Sequence, residues 1–154
     1  VCIGKLKENF FAEAFEEYRK RLGAFCRFEC AELAEQRLGD APGAREIAAA
    51  LDREAADIEK AIPSGAAVVA MCVEGKSMKS EELAAQLDRW QNAGRSRVCF
   101  VVGGSFGLSE RVKARAEVRL CVSRMTFPHH LFRVMLAEQI YRALFISAGT
   151  RYHK

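Results

Sequence analysis

Two uninterrupted apolar runs, residues 66–73 and Val98–Val102, constrain the fold of this chain more than any other feature. Successive side chains of a strand point to opposite faces, so a strand with one face in water alternates apolar and polar residues. A run with no polar residue is instead predicted to lie inside a parallel sheet covered on both faces. Each run leads through a polar stretch towards a segment of helical periodicity. After the first come Leu83, Leu87 and Trp90, with Ser80 as the expected N-cap; after the second comes a short helix that Ser109 is expected to cap. Phe11, Phe15, Tyr18 and Leu22 predict a helix over 8–22, and Ile47, Leu51 and Ile58 predict one over 44–62, stopped by Pro63-Ser64-Gly65. Cys26, Phe28 and Cys30 alternate with Arg27 and Glu29, which reads as a half-buried strand over 25–33. Val1-Cys2-Ile3-Gly4 reads as the end of a strand, with more of it expected upstream, and residues 118–122 as another strand. Pro128 is expected to open a long final helix reaching Ser147. The order predicts an α/β fold: one domain over 1–154, with a mainly parallel sheet sandwiched by helices.

At 17.2 kDa and 50% hydrophobic residues the chain can bury one substantial core. No apolar run approaches the roughly 18 to 20 residues that span a bilayer. The N-terminal stretch lacks the basic-then-apolar pattern of a secretion signal, so a soluble cytoplasmic protein without membrane contact is expected. Cys2, Cys26, Cys30, Cys72, Cys99 and Cys121 contain no C-x2-C pair, which predicts reduced, buried thiols rather than zinc ligands. The formal charge of +4 is unevenly spread, net −3 over residues 1–110 and net +7 over 111–154. Arg111, Lys113, Arg115, Arg119, Arg124, Arg133, Arg142, Arg151 and Lys154 are candidates for a phosphate-binding surface if the fold gathers them. The alternative is a basic segment that serves only solubility.

Ligands of such sheets bind beyond the carboxyl ends of the strands, which directs attention to loops over 74–79, 103–108 and 123–129. Gly75-Lys76-Ser77 has the look of a phosphate-loop end, but the glycine required five residues earlier is Ala70, so an NTPase is excluded. Gly103-Gly104-Ser105-Phe106-Gly107 is not G-x-G-x-x-G, which argues against a dinucleotide cofactor. Its glycines permit positive φ and close backbone approach, and Gly104 is expected to leave room for a ligand; a plain tight turn is the alternative. Ser123-Arg-Met-Thr-Phe-Pro-His-His130 joins a strand to a helix, and its backbone amides suit an adenine or a carboxylate as well as an ordinary helix start. His129 and His130 are adjacent and diverge on a helix, so no metal is expected there. The final helix is apolar around much of its circumference, which predicts burial on two sides and a homodimer, with Leu136 facing the partner.

Four segments carry a resemblance: Phe100-Val-Val-Gly-Gly-Ser-Phe-Gly-Leu-Ser109, Ser123-Arg-Met-Thr-Phe-Pro-His129, Leu136-Ala-Glu-Gln-Ile-Tyr-Arg142 and Tyr152-His153-Lys154. In this order and spacing the chain resembles the RlmH-type SPOUT methyltransferases along essentially its whole length. Glu74-Gly75-Lys76 agrees. The resemblance implies S-adenosylmethionine as cofactor, a C-terminal trefoil knot, a homodimer, and methylation of N3 of a pseudouridine in a 23S rRNA stem-loop, on the assembled ribosome. It places the cofactor against Met71, Cys72, Gly103, Gly104, Ser123, Arg124, Met125, Thr126, Phe127, Pro128 and His129. Ser105 and Phe106 depart from the Pro and the aromatic or acidic residue of many relatives. A nucleotide- or RNA-binding module of the same fold without turnover is the alternative function.

The sulfonium of such a cofactor carries an activated methyl group, so the protein must position the groups and remove the N3 proton. A neutral imidazole with a pKa near about 6.5 suits that task, and His153 is the candidate base. Tyr152 is the candidate to stack on or hydrogen-bond to the base, and Arg142 to orient phosphate or stabilise charge on a uracil oxygen. Deleting Tyr152 to Lys154 is expected to leave cofactor affinity and thermal stability nearly unchanged while methyl transfer to ribosomes collapses. His153→Ala is expected to lower the single-turnover rate by on the order of 10². A loss confined to ribosome affinity and relieved at low salt would make His153 an RNA contact, and full activity of the truncated protein would remove the tail from the site.

Overall fold

The computed structural model describes residues 1–149. Tyr152, His153, Arg151 and Lys154 lie outside the described residues. The two apolar runs become β3 (Ala67–Ser77) and β4 (Val98–Val102), parallel neighbours in register from Ala67 opposite Val98 to Met71 opposite Val102. With β1 (Cys2–Ile3), β2 (Glu32–Leu33) and β5 (Val118–Cys121) they form a five-stranded sheet of order β2-β1-β4-β3-β5, parallel throughout. The period of two divides the runs between two cores. Ala67, Val69 and Met71 meet Leu83, Leu87, Trp90, Leu136 and Ile140 on one face, while Val68, Ala70 and Val101 meet Ile58 and Val112 on the other. Val69 and Val101 are fully buried, each stabilising the sheet by about 1.5–3 kcal/mol.

Helix α1 (Asn9–Leu22), α3 (Ser80–Asn92) and α5 (His129–Ser147) cover the first face, with α5 packed on both of the others. On the second face α2 (Ala44–Ala61) packs on α4 (Glu110–Arg115). Ser109 caps α4 as expected, its Oγ accepting the Val112 N–H at 3.3 Å. Ser80 does not cap α3. The N-cap is Lys79, whose N–H donates to Glu82 at 2.7 Å, and the Ser80 hydroxyl donates to Gln139 of α5 at 2.9 Å.

Two further expectations are corrected by pairing. Of residues 25–33 only Glu32 and Leu33 form a strand, paired with Cys2 and Ile3 of β1. Cys26, Phe28 and Cys30 still pack inward, so the alternation reported burial correctly without reporting a ladder. The loop expected over 74–79 is instead the far end of β3. Leu120 pairs with Met71 and again with Lys76, so residues 72–75 bulge from the ladder before Ser77 pairs with Cys121. Glycine is required at position 75, where a Cβ would lie 2.7 Å from the Arg119 and Leu120 carbonyl carbons.

Arg133 of α5 is 1% exposed. Its Nη2 donates to the carbonyls of Ile3 at 2.5 Å and Gly4 at 2.8 Å, and Nη1 to Glu32 Oε1 at 2.9 Å. The guanidinium thus ties α5 to the ends of β1 and β2 and satisfies carbonyls that the short strands leave open. Arg133→Leu, which strands Glu32 and these carbonyls, is expected to cost about 3 kcal/mol. Urea unfolding should show a lower midpoint at unchanged slope. A midpoint equal to that of the wild type would mean that the clamp does not stabilise the fold.

Candidate active site

Met71 pairs with Val102 on one side and Leu120 on the other, so the segments leaving β3, β4 and β5 start side by side at the carboxyl edge. Cys72, Gly103 and the chain after Cys121 are thereby brought to one rim. Gly103 and Gly104 enter a tight turn in which the Gly107 N–H donates to the Gly104 carbonyl at 3.0 Å. Gly107 has φ +79°, so the left-handed residue of the loop is Gly107 and not Gly104. A Cβ on Gly103 would lie 2.2 Å from the Gly107 oxygen, which is why the turn can close only on glycine.

Glu35, two residues beyond β2, holds this turn. Its Oε1 accepts from the Ser105 N–H at 2.8 Å and hydroxyl at 2.7 Å. A Cβ on Gly104 would lie 2.6 Å from that oxygen and 3.0 Å from Ile3 Cγ2, so Glu35 and Ile3 fill the space on the Cβ side of Gly104. Burial pushes the Glu35 carboxyl up, but the two Ser105 hydrogen bonds and the nearby His129 and His130 bring it below the usual carboxylate range. His129 Nε2 and Glu35 Oε2 both border Gly4, 3.6 and 3.8 Å from where its Cβ would be. Burial, reinforced by His130, pushes the His129 imidazole down although Glu35 pulls it up, which leaves it neutral at pH 7.

The stretch 123–128 joins the end of β5 to the start of α5. The Ser123 hydroxyl accepts the Met125 N–H at 2.9 Å, while the N–H groups of Thr126 and Phe127 have no acceptor among the described residues. At the end of β5 lies a furrow of about 180 Å³, lined among others by Met78, Ser80, Leu120, Val122 and Gln139. A trough of about 250 Å³ between Tyr18, Val134, Met135 and Glu138 adjoins it across Val122 and Gln139. Gln139 Nε2 donates to Glu138 at 2.6 Å, and Arg142 donates to the same carboxylate from Nε at 2.9 Å and Nη2 at 2.5 Å.

The structure therefore brings Met71, Cys72, Gly103 and Gly104 to one edge and joins His129 to them through Glu35, while Ser123 to Phe127 follow Val122, the last residue of β5's end to line the furrow. Arg142 stands with Glu138 on the trough side. Several of the C-terminal cations are paired: Arg111 with Glu59, Lys113 with Glu74 and Glu110, Arg119 with Glu110, and Arg133 with Glu32, while Arg115 and Arg124 are in no ion pair among the described residues. Sequence reasoning missed Glu35, Gln139 and Glu138. For the last two the i,i+4 spacing of Glu138 and Arg142 was a usable signal; Glu35 had none, because its partner is 70 residues away.

The family described as "Predicted SPOUT methyltransferase" matches residues 1–153. This chain belongs to that family. Proteins named ribosomal RNA large subunit methyltransferase H are similar along the whole chain: 42% identical in Clostridium beijerinckii, 43% in Bacillus pumilus and 44% in Bifidobacterium animalis subsp. lactis. Each comparison covers 100% of this chain and 97% of the relative. SPOUT membership accords with the parallel α/β sheet and implies use of S-adenosylmethionine. Among the described residues no group of three or more His, Cys, Asp or Glu could hold a metal ion, and no helix is long and apolar enough to cross a membrane.

Gly104→Ala is expected to push the Glu35 carboxylate off Ser105 and cost about 1–3 kcal/mol in urea unfolding. Glu35→Ala removes both the obstacle and the two hydrogen bonds, so the double variant should lose clearly less than the sum of the single losses. Strict additivity would show that Gly104 and Glu35 do not share one constraint.

Proposed function

We propose that this chain is an S-adenosylmethionine-dependent methyltransferase of large-subunit ribosomal RNA, methylating N3 of a pseudouridine in a 23S stem-loop on the assembled ribosome, in the cytoplasm and as a homodimer. The observation that carries this reading is that the strands leading into the glycine turn and into the 123–129 stretch flank Met71 on its two sides, in a chain 42–44% identical over its length to proteins named ribosomal RNA large subunit methyltransferase H. The residues present fit the cofactor. Thr126 and Phe127 offer N–H groups without an acceptor among the described residues, and the furrow at the end of β5 has apolar walls at Leu120 and Val122, which suits an adenine ring. Met71, Cys72, Gly103, Gly104 and residues 123–129 would hold it; when bound it supplies an already activated methyl group.

The protein's own part is positioning and proton removal. Arg142, oriented by Glu138, is proposed to face a phosphate or a uracil oxygen, and His153 with Tyr152, outside the described residues, to take the proton and hold the base. A C-terminal trefoil knot is part of the proposal, supported by β3 pairing with β5 on both sides of its bulge. The dimer is supported by the aromatic group of Tyr18, Phe25, Tyr141 and Phe145, with ring centroids 5.7–6.4 Å apart on the outer side of α1 and α5. Leu136, expected to face the partner, is 6% exposed in the protomer core, so Met135 beside the trough is the better probe.

Purified ribosomes lacking the modification should accept label from methyl-labelled S-adenosylmethionine at a single uridine-derived nucleoside, identified by mass spectrometry. Tight binding of S-adenosylhomocysteine with no transfer to ribosomes or to naked 23S rRNA would overturn the enzymatic reading. Met135→Glu should sediment as a monomer, keep its thermal midpoint within a few degrees and lose methyl transfer; a monomeric wild type at micromolar concentration contradicts the dimer.

A further inference from the structure

Among the cations in no ion pair within the described residues, three stand just after the neighbouring strands β1 and β2. Lys5 and Lys7 follow β1 and Arg37 follows β2, all three exposed and in no ion pair among the described residues. The acids around them are engaged elsewhere: Glu32 with Arg133, Glu8 opposite His130 at 2.8 Å, and Glu54 with the Gln36 N–H at 2.8 Å. Glu35 itself is turned onto Ser105.

Glu35 is also where these segments meet. It lies two residues before Arg37, borders Gly4 immediately before Lys5, and fixes Ser105 immediately before Phe106. Phe106 is 44% exposed at the tip of a turn closed by the Gly104–Gly107 bridge. An aromatic ring left in water on a clamped turn is not explained by the core, since Leu108, two residues on, already anchors the loop there at 4% exposure. A ring held beside unneutralised cations at the ligand edge of a sheet matches what single-stranded RNA requires: a face for a base and charges for the adjoining phosphates.

We propose that Phe106, flanked by Lys5, Lys7 and Arg37, is the RNA-contacting surface of the protein: the ring stacks on an unpaired base near the target nucleotide and the three cations take flanking phosphates. This rests on the RNA methyltransferase reading and adds to it the side from which the RNA approaches, across the ends of β1, β2 and β4 rather than along the C-terminal basic segment. Glu35 acts as a positioning residue that keeps the turn, and with it the ring, in place.

The test is equilibrium binding to purified bacterial ribosomes over a series of salt concentrations, with calorimetric titration of S-adenosylhomocysteine and a thermal melt for every variant. Phe106→Ala should weaken ribosome binding about 10-fold or more, Phe106→Trp should restore most of it, and cofactor affinity should not change. Lys5→Gln, Lys7→Gln and Arg37→Gln combined should make the dependence of log K on log salt shallower by about two, as expected when three phosphate contacts are lost. Wild-type ribosome affinity in both Phe106→Ala and the triple variant would overturn the proposal. So would a cofactor affinity that falls with Phe106→Ala, which would put the ring in the cofactor site. Weakened binding of the triple variant at an unchanged salt slope would mean that a ribosomal protein, not RNA, covers this surface, and also overturns it. If the slopes behave as expected but the wild type transfers no methyl group, the surface stands and the enzymatic reading falls.

Discussion

Pairing of β3 on both its edges sets the geometry on which the rest depends. Ala67 to Met71 are matched residue by residue to Val98 to Val102, and Val69 to Met71 are matched to Val118 to Leu120. The ends of β4 and β5 therefore cannot slide relative to one another without breaking ladder hydrogen bonds and turning buried valines out of the two cores. Both loops that the site needs leave from those ends. Their separation is a property of the sheet and not of the loops, which is why short, glycine-rich or irregular segments can form a defined rim.

Beyond the sheet, two charged side chains do the fine placement. Arg133 is buried and bonded to the carbonyls that end β1, and Glu35 is bonded to the turn that follows β4. Desolvating such groups is costly, and an apolar core residue in place of Arg133 would give comparable or greater stability if its partners were replaced too. What a charge supplies here is direction. A guanidinium reaching two carbonyls and a carboxylate accepting two hydrogen bonds each tolerate little displacement, so α5, β1 and the glycine turn are held in mutual alignment around Gly4 and His129.

Electrostatics across the fold also differ from electrostatics along the chain. The net +7 of the C-terminal segment meets acids of the earlier segment in space: Arg111 with Glu59, Lys113 with Glu74, Arg133 with Glu32. These pairs cancel the excess where the sequence concentrates it. Cations in no ion pair among the described residues stand also after β1 and β2, where composition shows no basic run. Electrostatic steering by such a protein follows the second distribution.

Period and composition were enough to identify the parallel central strands, the helices and their approximate ends, because burial on one or both faces writes itself into neighbouring residues. The four motif segments were enough to point to the family. Where a feature depended on a distant partner, local pattern was silent. Residues 25–30 alternate as a strand would yet join no ladder, whereas Ala31 accepts the Cys2 N–H at 2.9 Å. The bulge over 72–75 exists because Lys76 pairs again with Leu120, a residue 44 positions on, and Glu35 matters because Ser105 is 70 positions away. On its Cβ side Gly104 meets that same carboxylate, a neighbour no local pattern announces. Sequence alone thus determined which segments are buried and in which regular form, a matter of local periodicity and the hydrophobic effect. Tertiary structure decided which charges remain free, which loops share an edge and what each glycine makes room for, because hydrogen bonds and ion pairs are set by proximity in space, which no local pattern records.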